Sequence, residues 1–289
     1  MFGECHGHIF MDGVDFQEAR KLHADGVIES DVRKKLAEYQ NAGITFFRDG
    51  GDAYGVSEYA ASCAGEYGID YRTPVYAIHK NKRYGSIVGK GFDDMKQYHQ
   101  LVLGVREKGG DFIKVMFSGI MDFAHGGSVT GTPLTKDEIR EMIHIAHEEG
   151  FRVMAHVNGA RTIQQAAEAG VDSVEHGNFM DDECLHALKE SNAVWVPTYV
   201  TIHNLLESDR YPTETITSLA EQAKDNIRKG FRMGIPIAAG SDAGAYRVPH
   251  VTGTEDEVRQ LRLIYGNKEE ADKALQLGEK QIRERFRRG

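Results

Sequence analysis

The sequence predicts an α/β protein built as a (β/α)8 TIM barrel, and three observations predict it. Eight short apolar runs with strand character recur near residues 4–10, 44–48, 73–78, 112–117, 152–157, 172–176, 194–199 and 235–239. Between them lie segments of helical periodicity, several ending at a glycine that stops a helix. Six residues with ligand chemistry sit in or just after the strand-like runs, where a closed barrel brings distant positions to one rim.

The elements follow in order. ECHGHIF opens the chain as the first strand, and DVRKKLAEYQNAG supplies the helical pattern that leads to the second. TKDEIREMIHIAHEEG, ARTIQQAAEAG and TSLAEQAKDNIRKGFRMG alternate with the later strands. Strands alternating with helices imply parallel pairing through right-handed crossovers, and eight such units favour closure over an open sheet. TEDEVRQLRLIYG then closes the barrel, and residues 266–289 are expected as a helical appendage. The whole chain, 1–289, reads as a single domain without a low-complexity linker or an internal repeat. The loops after the first, third and fourth strands are long and glycine-rich, as substrate pockets require.

Composition narrows the function classes. With 40% hydrophobic residues, 289 positions can bury a large core. A net charge of −9 argues against nucleic acid or an anionic membrane as partner. No apolar stretch approaches the roughly 18 residues of a spanning helix, and the N-terminus lacks a basic region followed by an apolar core. A soluble, cytoplasmic protein is the expectation. Cys5, Cys63 and Cys184 show no metal-type spacing and are expected as reduced thiols.

Chemistry is expected from the six residues. His6 and His8, two apart on an extended strand, point to the same side and can share one metal. His156 and His176 each end an apolar run at the junction of strand and loop. Lys114 interrupts FIKVMF, where burying an unpaired ammonium costs several kcal/mol or depresses its pKa. A neutral amine formed that way reacts with carbon dioxide to give a carbamate, a carboxylate-like ligand. The bland alternative is pairing with Asp111 or Glu175. Asp242 follows IPIAAG, where a carboxylate can bind metal and accept a proton, or simply cap a helix.

The order HxH, Lys, His, His, Asp resembles the amidohydrolase superfamily. The segments IKVMFSG, AHVNGARTIQQAAEAGVDSVEHGNFMDDE, VPTYV and GSDAG are similar to its imidazolonepropionase-like branch, which includes metal-dependent prolidases and arginine carboxypeptidases. The likeness runs from FFRDGG, with Arg48 and Asp49, to Asp242. The resemblance implies two divalent ions, with Zn2+ as the expected metal. His6, His8 and Asp242 would hold one and His156 and His176 the other, bridged by carbamylated Lys114 and a hydroxide. It further implies hydrolysis of an amide, peptide or lactam C–N bond in a dipeptide, N-acyl amino acid or cyclic amide. Asp242 would move the proton to the departing nitrogen.

Around that centre, Tyr199 is expected as a donor to the substrate carbonyl or carboxylate. His79, Arg83, His125, Tyr246 and Arg247 are rim-loop candidates for an anionic group. Two departures stand out: Asn158 occupies a position where relatives often carry histidine, and only five residues precede His6, too few for the β-sandwich that most relatives have. An uncovered sandwich face would favour a homo-oligomer. Competing expectations are a phosphotriesterase- or lactonase-like ester hydrolase and a degenerate, metal-free binding barrel. A mononuclear deaminase fits less well, because Val157, Asn158 and Gly159 follow His156 where HxxE would be needed.

Overall fold

The computed structural model describes residues 1–288, and every strand pairing within its two sheets is parallel. The first sheet is β1 (Glu4–Gly7), β2 (Phe46–Asp49) and β3 (Asp70–Arg72). The second contains β4 (Ala77–Lys80), β5 (Gly89–Phe92), β6 (Ile113–Met116), β7 (Val153–Val157), β8 (Ser173–His176) and β9 (Val194–Val196), in the order β5-β4-β6-β7-β8-β9. The helices packed around them include α1 (Phe16–Leu22), α2 (Glu29–Asn41), α3 (Val56–Cys63), α4 (Met95–Glu107), α5 (Lys136–Glu148) and α6 (Ala160–Glu168). They continue with α7 (Asp182–Ser191), α8 (Val200–His203), α9 (Thr213–Met233), α10 (Thr252–Tyr265) and α11 (Lys268–Arg285). This is the alternating α/β architecture that the sequence implies.

Two expected strands differ in detail. The run 73–78 falls on a bend between β3 and β4: Pro74 cannot donate to a ladder, and Val75 adopts φ 67°. The Asp111 carboxylate accepts the Thr73 N–H at 2.9 Å and so holds that bend from the segment leading into β6. The run 235–239 forms no regular strand, yet it lies between β9 and β1. Trp195 N donates to the Pro236 carbonyl at 2.8 Å, and Cys5 N donates to the Ala239 carbonyl at 3.0 Å. The ring of parallel segments therefore passes both seams on irregular hydrogen bonds rather than on a ladder. β5, with the sequence GKGF, adds an outer partner to β4 that glycine-rich composition concealed.

Helix faces and strand faces explain the packing. On α5, a Thr135–Glu138 capping box starts the helix, and Ile139, Met142, Ile143 and Ala146 make one buried stripe. On β6, Ile113 and Val115 join the large cluster beneath the helices, so Lys114 between them faces the barrel interior. On β8, Val174 packs outward likewise, while Ser173 and Glu175 face inward. The interior is thus polar in its middle layer and apolar at its floor. There Phe112, Met154, Val194 and Val196 meet Ile282 and Phe286 from the C-terminal segment.

The segment 266–289, read from sequence as an appendage, runs for most of its length as α11 against that floor. At Gly278 an added Cβ would lie 2.1 Å from the Ile237 carbonyl oxygen, so only glycine permits the helix to approach this closely. Among the described residues, no helix is long and apolar enough to cross a membrane. All three cysteines are buried and unpaired.

Candidate metal centre

β1 fixes the first two ligand candidates, and the segment after residue 239 is stitched to the same strand. Asp242 N donates to the His6 carbonyl at 2.6 Å, and His8 N donates to the Ala243 carbonyl at 2.8 Å. The Asp242 carboxylate consequently reaches both imidazoles, with Oδ1 3.5 Å from His6 Nε2 and 3.4 Å from His8 Nε2. One ligand atom from each of the three residues falls within 4.8 Å of the others. Lys114 Nζ lies 3.4 Å from His6 Nε2. The His176 ring sits 5.1 Å from that of His6 and 4.5 Å from that of His156. All six side chains predicted as ligands line one cavity of about 580 Å3.

Their outer nitrogens are engaged by the protein. A carbonyl or carboxylate can only accept, so its partner nitrogen carries the proton and the other ring nitrogen keeps its lone pair. His6 Nδ1 donates to Glu175 Oε2 at 2.7 Å, and His156 Nε2 donates to the Gly119 carbonyl at 3.0 Å. His176 Nδ1 is bonded to Thr198 Oγ1 at 2.7 Å. Such partners fix ring orientation and tautomer at metal sites. His8 Nδ1 donates to the Gly51 carbonyl at 3.4 Å, and the ring is also seated sterically. A Cβ on Gly50 would lie 2.1 Å from His8 Cε1, so residue 50 leaves space for the ring only as glycine.

Backbone strain marks the same positions. His176 and Asp242 adopt φ 66° and 61°, a region uncommon for residues with side chains. The Trp195 indole N–H holds the first by donating to the His176 carbonyl at 2.9 Å, and the bond to His6 holds the second.

Electrostatics keep the histidines ready to donate lone pairs. Burial, reinforced by the nearby Lys114 charge, pushes His8 and His156 down to about 3 and lowers His6 and His176 as well. Burial also brings the Lys114 amine down to about 8 and raises the Asp242 carboxyl to about 7. Four neutral imidazoles, a carboxylate and a depressed amine form a nitrogen-and-oxygen donor set suited to first-row divalent ions.

Glu175 is not the partner of Lys114. Both of its oxygens accept from Arg48 Nη2, at 2.9 and 3.0 Å, and one also holds His6. Asp111 is occupied at the β3–β4 bend. No carboxylate pairs with Lys114 among the described residues. Glu175→Gln would leave Arg48 buried beside a neutral amide, so we expect a destabilisation of roughly 3–5 kcal/mol in urea denaturation. The loosened His6 would weaken metal affinity by roughly 10- to 100-fold in a competitive chelator titration.

Most of the residues expected to bind substrate lie outside the lining of this cavity. Tyr199 does not line the cavity: Thr198, at φ 50°, turns the chain after β9 and directs Tyr199 to the start of α8. There it stacks on His203, with ring centroids 5.6 Å apart. His79 is not in the lining and its Nδ1 is bonded to the Lys80 carbonyl at 3.0 Å, His125 is exposed and paired with Asp122, and Arg247 reaches Glu207 at 3.6 Å. Arg83 is likewise absent from the lining, whereas Tyr246 belongs to it. Sequence reading missed Tyr84, whose ring lies tilted against that of His156 with centroids 4.8 Å apart, and missed Arg210 and Tyr211. Each is a lone residue in an irregular loop, without a periodic signal. Asn158 lines the cavity and accepts from the Asn178 side chain at 2.9 Å.

Comparison with known proteins agrees with this geometry. An uncharacterized protein of Mycobacterium tuberculosis is 28% identical over 194 residues, covering 65% of this chain and 51% of the relative. Ochratoxinase of Aspergillus niger is 24% identical over 191 residues, covering 63% of this chain and 38% of that enzyme. The chain thus spans about half or less of the length of these relatives. A crystal structure of a Xaa-Pro dipeptidase with bound methionine in the active site superposes with a TM-score of 0.76 at 22% identity. That match covers 98% of this chain and 75% of the dipeptidase. The sequence pattern of the amidohydrolase family matches residues 4–277, nearly the full length, and the chain belongs to that family.

Proposed function

We propose that the protein is a metal-dependent hydrolase that cleaves an amide or peptide C–N bond in a small substrate such as a dipeptide, an N-acyl amino acid or a cyclic amide. The observation that carries this reading is the convergence of His6, His8, Lys114, His156, His176 and Asp242 on one cavity. His6, His8 and Asp242 would hold one divalent ion and His156 and His176 a second, with Lys114 between them. When bound, such ions, with zinc favoured by the donor set, lower the pKa of water and polarise a carbonyl.

The chain's own residues supply the rest. The Lys114 amine, kept partly neutral by burial, attacks carbon dioxide: a C–N bond forms as one C=O π bond opens onto oxygen, the nitrogen releases a proton to solvent, and a carboxylate-like group replaces a poor ligand. Asp242 accepts the proton of the attacking water and returns it to the departing nitrogen. Ochratoxinase and the Xaa-Pro dipeptidase support amide bonds as the target class.

A screen of zinc-loaded protein against N-acyl amino acids and dipeptides, with a lactone and a phosphotriester as controls, tests the reading. Turnover confined to the amides is expected. Turnover of the lactone or the triester alone would replace it with ester hydrolysis.

A further inference from the structure

We infer that Arg210 forms a carboxylate subsite at the mouth of the cavity, so that the preferred substrates are amides joining a bulky apolar group to an amino acid with a free carboxylate. This rests on the amide-hydrolase reading above and narrows it. The cavity walls are largely apolar, with Val14, Ile87, Ile120, Met121, Phe123 and Leu205 among them. Walls of that kind fix a ligand by burying apolar surface and leave its orientation to a few polar groups.

Arg210 is the one arginine in the lining. Two loops hold it in place: its guanidinium lies 4.6 Å from the ring centre of Tyr246, beyond Asp242 in the chain, and 5.5 Å from that of Tyr211. Its backbone N–H donates to Ser208 Oγ at 3.2 Å, and that hydroxyl sits 3.5 Å from the Tyr246 hydroxyl. Stacking orients a guanidinium while leaving its in-plane N–H groups free. Arg247, near the same mouth, engages Glu207, whereas no carboxylate pairs with Arg210 among the described residues; Arg20, Arg161 and Arg232 are exposed and likewise without a carboxylate partner, but they lie outside this cavity. Asp15, also in the lining, is engaged in capping α1 through the Gln17 N–H. A free fork of donors at an apolar cavity matches a substrate carboxylate in bidentate geometry.

N-benzoyl-L-phenylalanine and its carboxamide, assayed by benzoate release, test the subsite with zinc-loaded wild type, Arg210→Met and Arg210→Lys. Wild type should prefer the carboxylate by roughly 10- to 100-fold in kcat/KM, mainly through KM, as expected for a charge-assisted pair. Arg210→Met should lower kcat/KM for the carboxylate more than for the carboxamide and so erase the preference, with Tm unchanged, and Arg210→Lys should retain part of it. Equal use of both substrates by wild type, or a preference that survives in Arg210→Met, would overturn the subsite while leaving amide hydrolysis intact. If wild type cleaves neither, the catalytic reading fails for this pair, and calorimetric binding decides the subsite. Tighter binding of the carboxylate that disappears in Arg210→Met supports it. Equal binding, or none, refutes it.

Discussion

Asp242→Asn is expected to fold normally and to lose hydrolysis by roughly 100- to 10,000-fold in kcat, the usual worth of a positioned proton-transfer group. Asparagine has nearly the same shape, tolerates the left-handed backbone at φ 61°, and leaves the Asp242 N–H bond to His6 in place. What it removes is the group that accepts a proton and offers an anionic oxygen to an ion shared with His6 and His8. Circular dichroism should be unchanged, and bound zinc should fall only in part. Wild-type turnover in this variant would strip Asp242 of its proton-transfer role.

Lys114→Ala carries the second large effect. Its amine is fully buried and pairs with no carboxylate, so the fold gains little from its charge. We expect the variant to remain folded, to lose about one metal equivalent, and to lose activity beyond the roughly 10- to 100-fold typical of an outer-shell partner. Formate entering the vacated space should restore part of both losses, because a small carboxylate supplies the oxygens of the carbamate. Unchanged metal content and turnover would defeat the carbamate proposal.

The convergence of the six candidate ligands on one cavity was legible because it obeys simple geometry. Residues two apart on a strand share a face, as His6 and His8 do, and residues at strand ends gather at a barrel rim, as His156, His176 and Asp242 do. Lys114 betrayed itself as a charge in an apolar run. What the sequence did not reveal depends on backbone turns and stagger. The left-handed Thr198 sends Tyr199 away from the cavity, and no local propensity announces it. Glu175 was weighed as a partner for Lys114, but its carboxylate is taken up by Arg48 from β2 and His6 from β1 instead. Tyr84 and Arg210 lie in loops whose paths are set by tertiary contacts, and β5 was hidden by glycines that lower strand propensity.

The pairing of metal with protein is the most direct test. Element analysis of the purified protein, after loading with zinc and carbon dioxide and exhaustive dialysis, should find about two zinc ions per chain, falling to about one in Lys114→Ala. A wild-type value near zero under the same loading would contradict the account, because the six convergent side chains would then hold no metal at all.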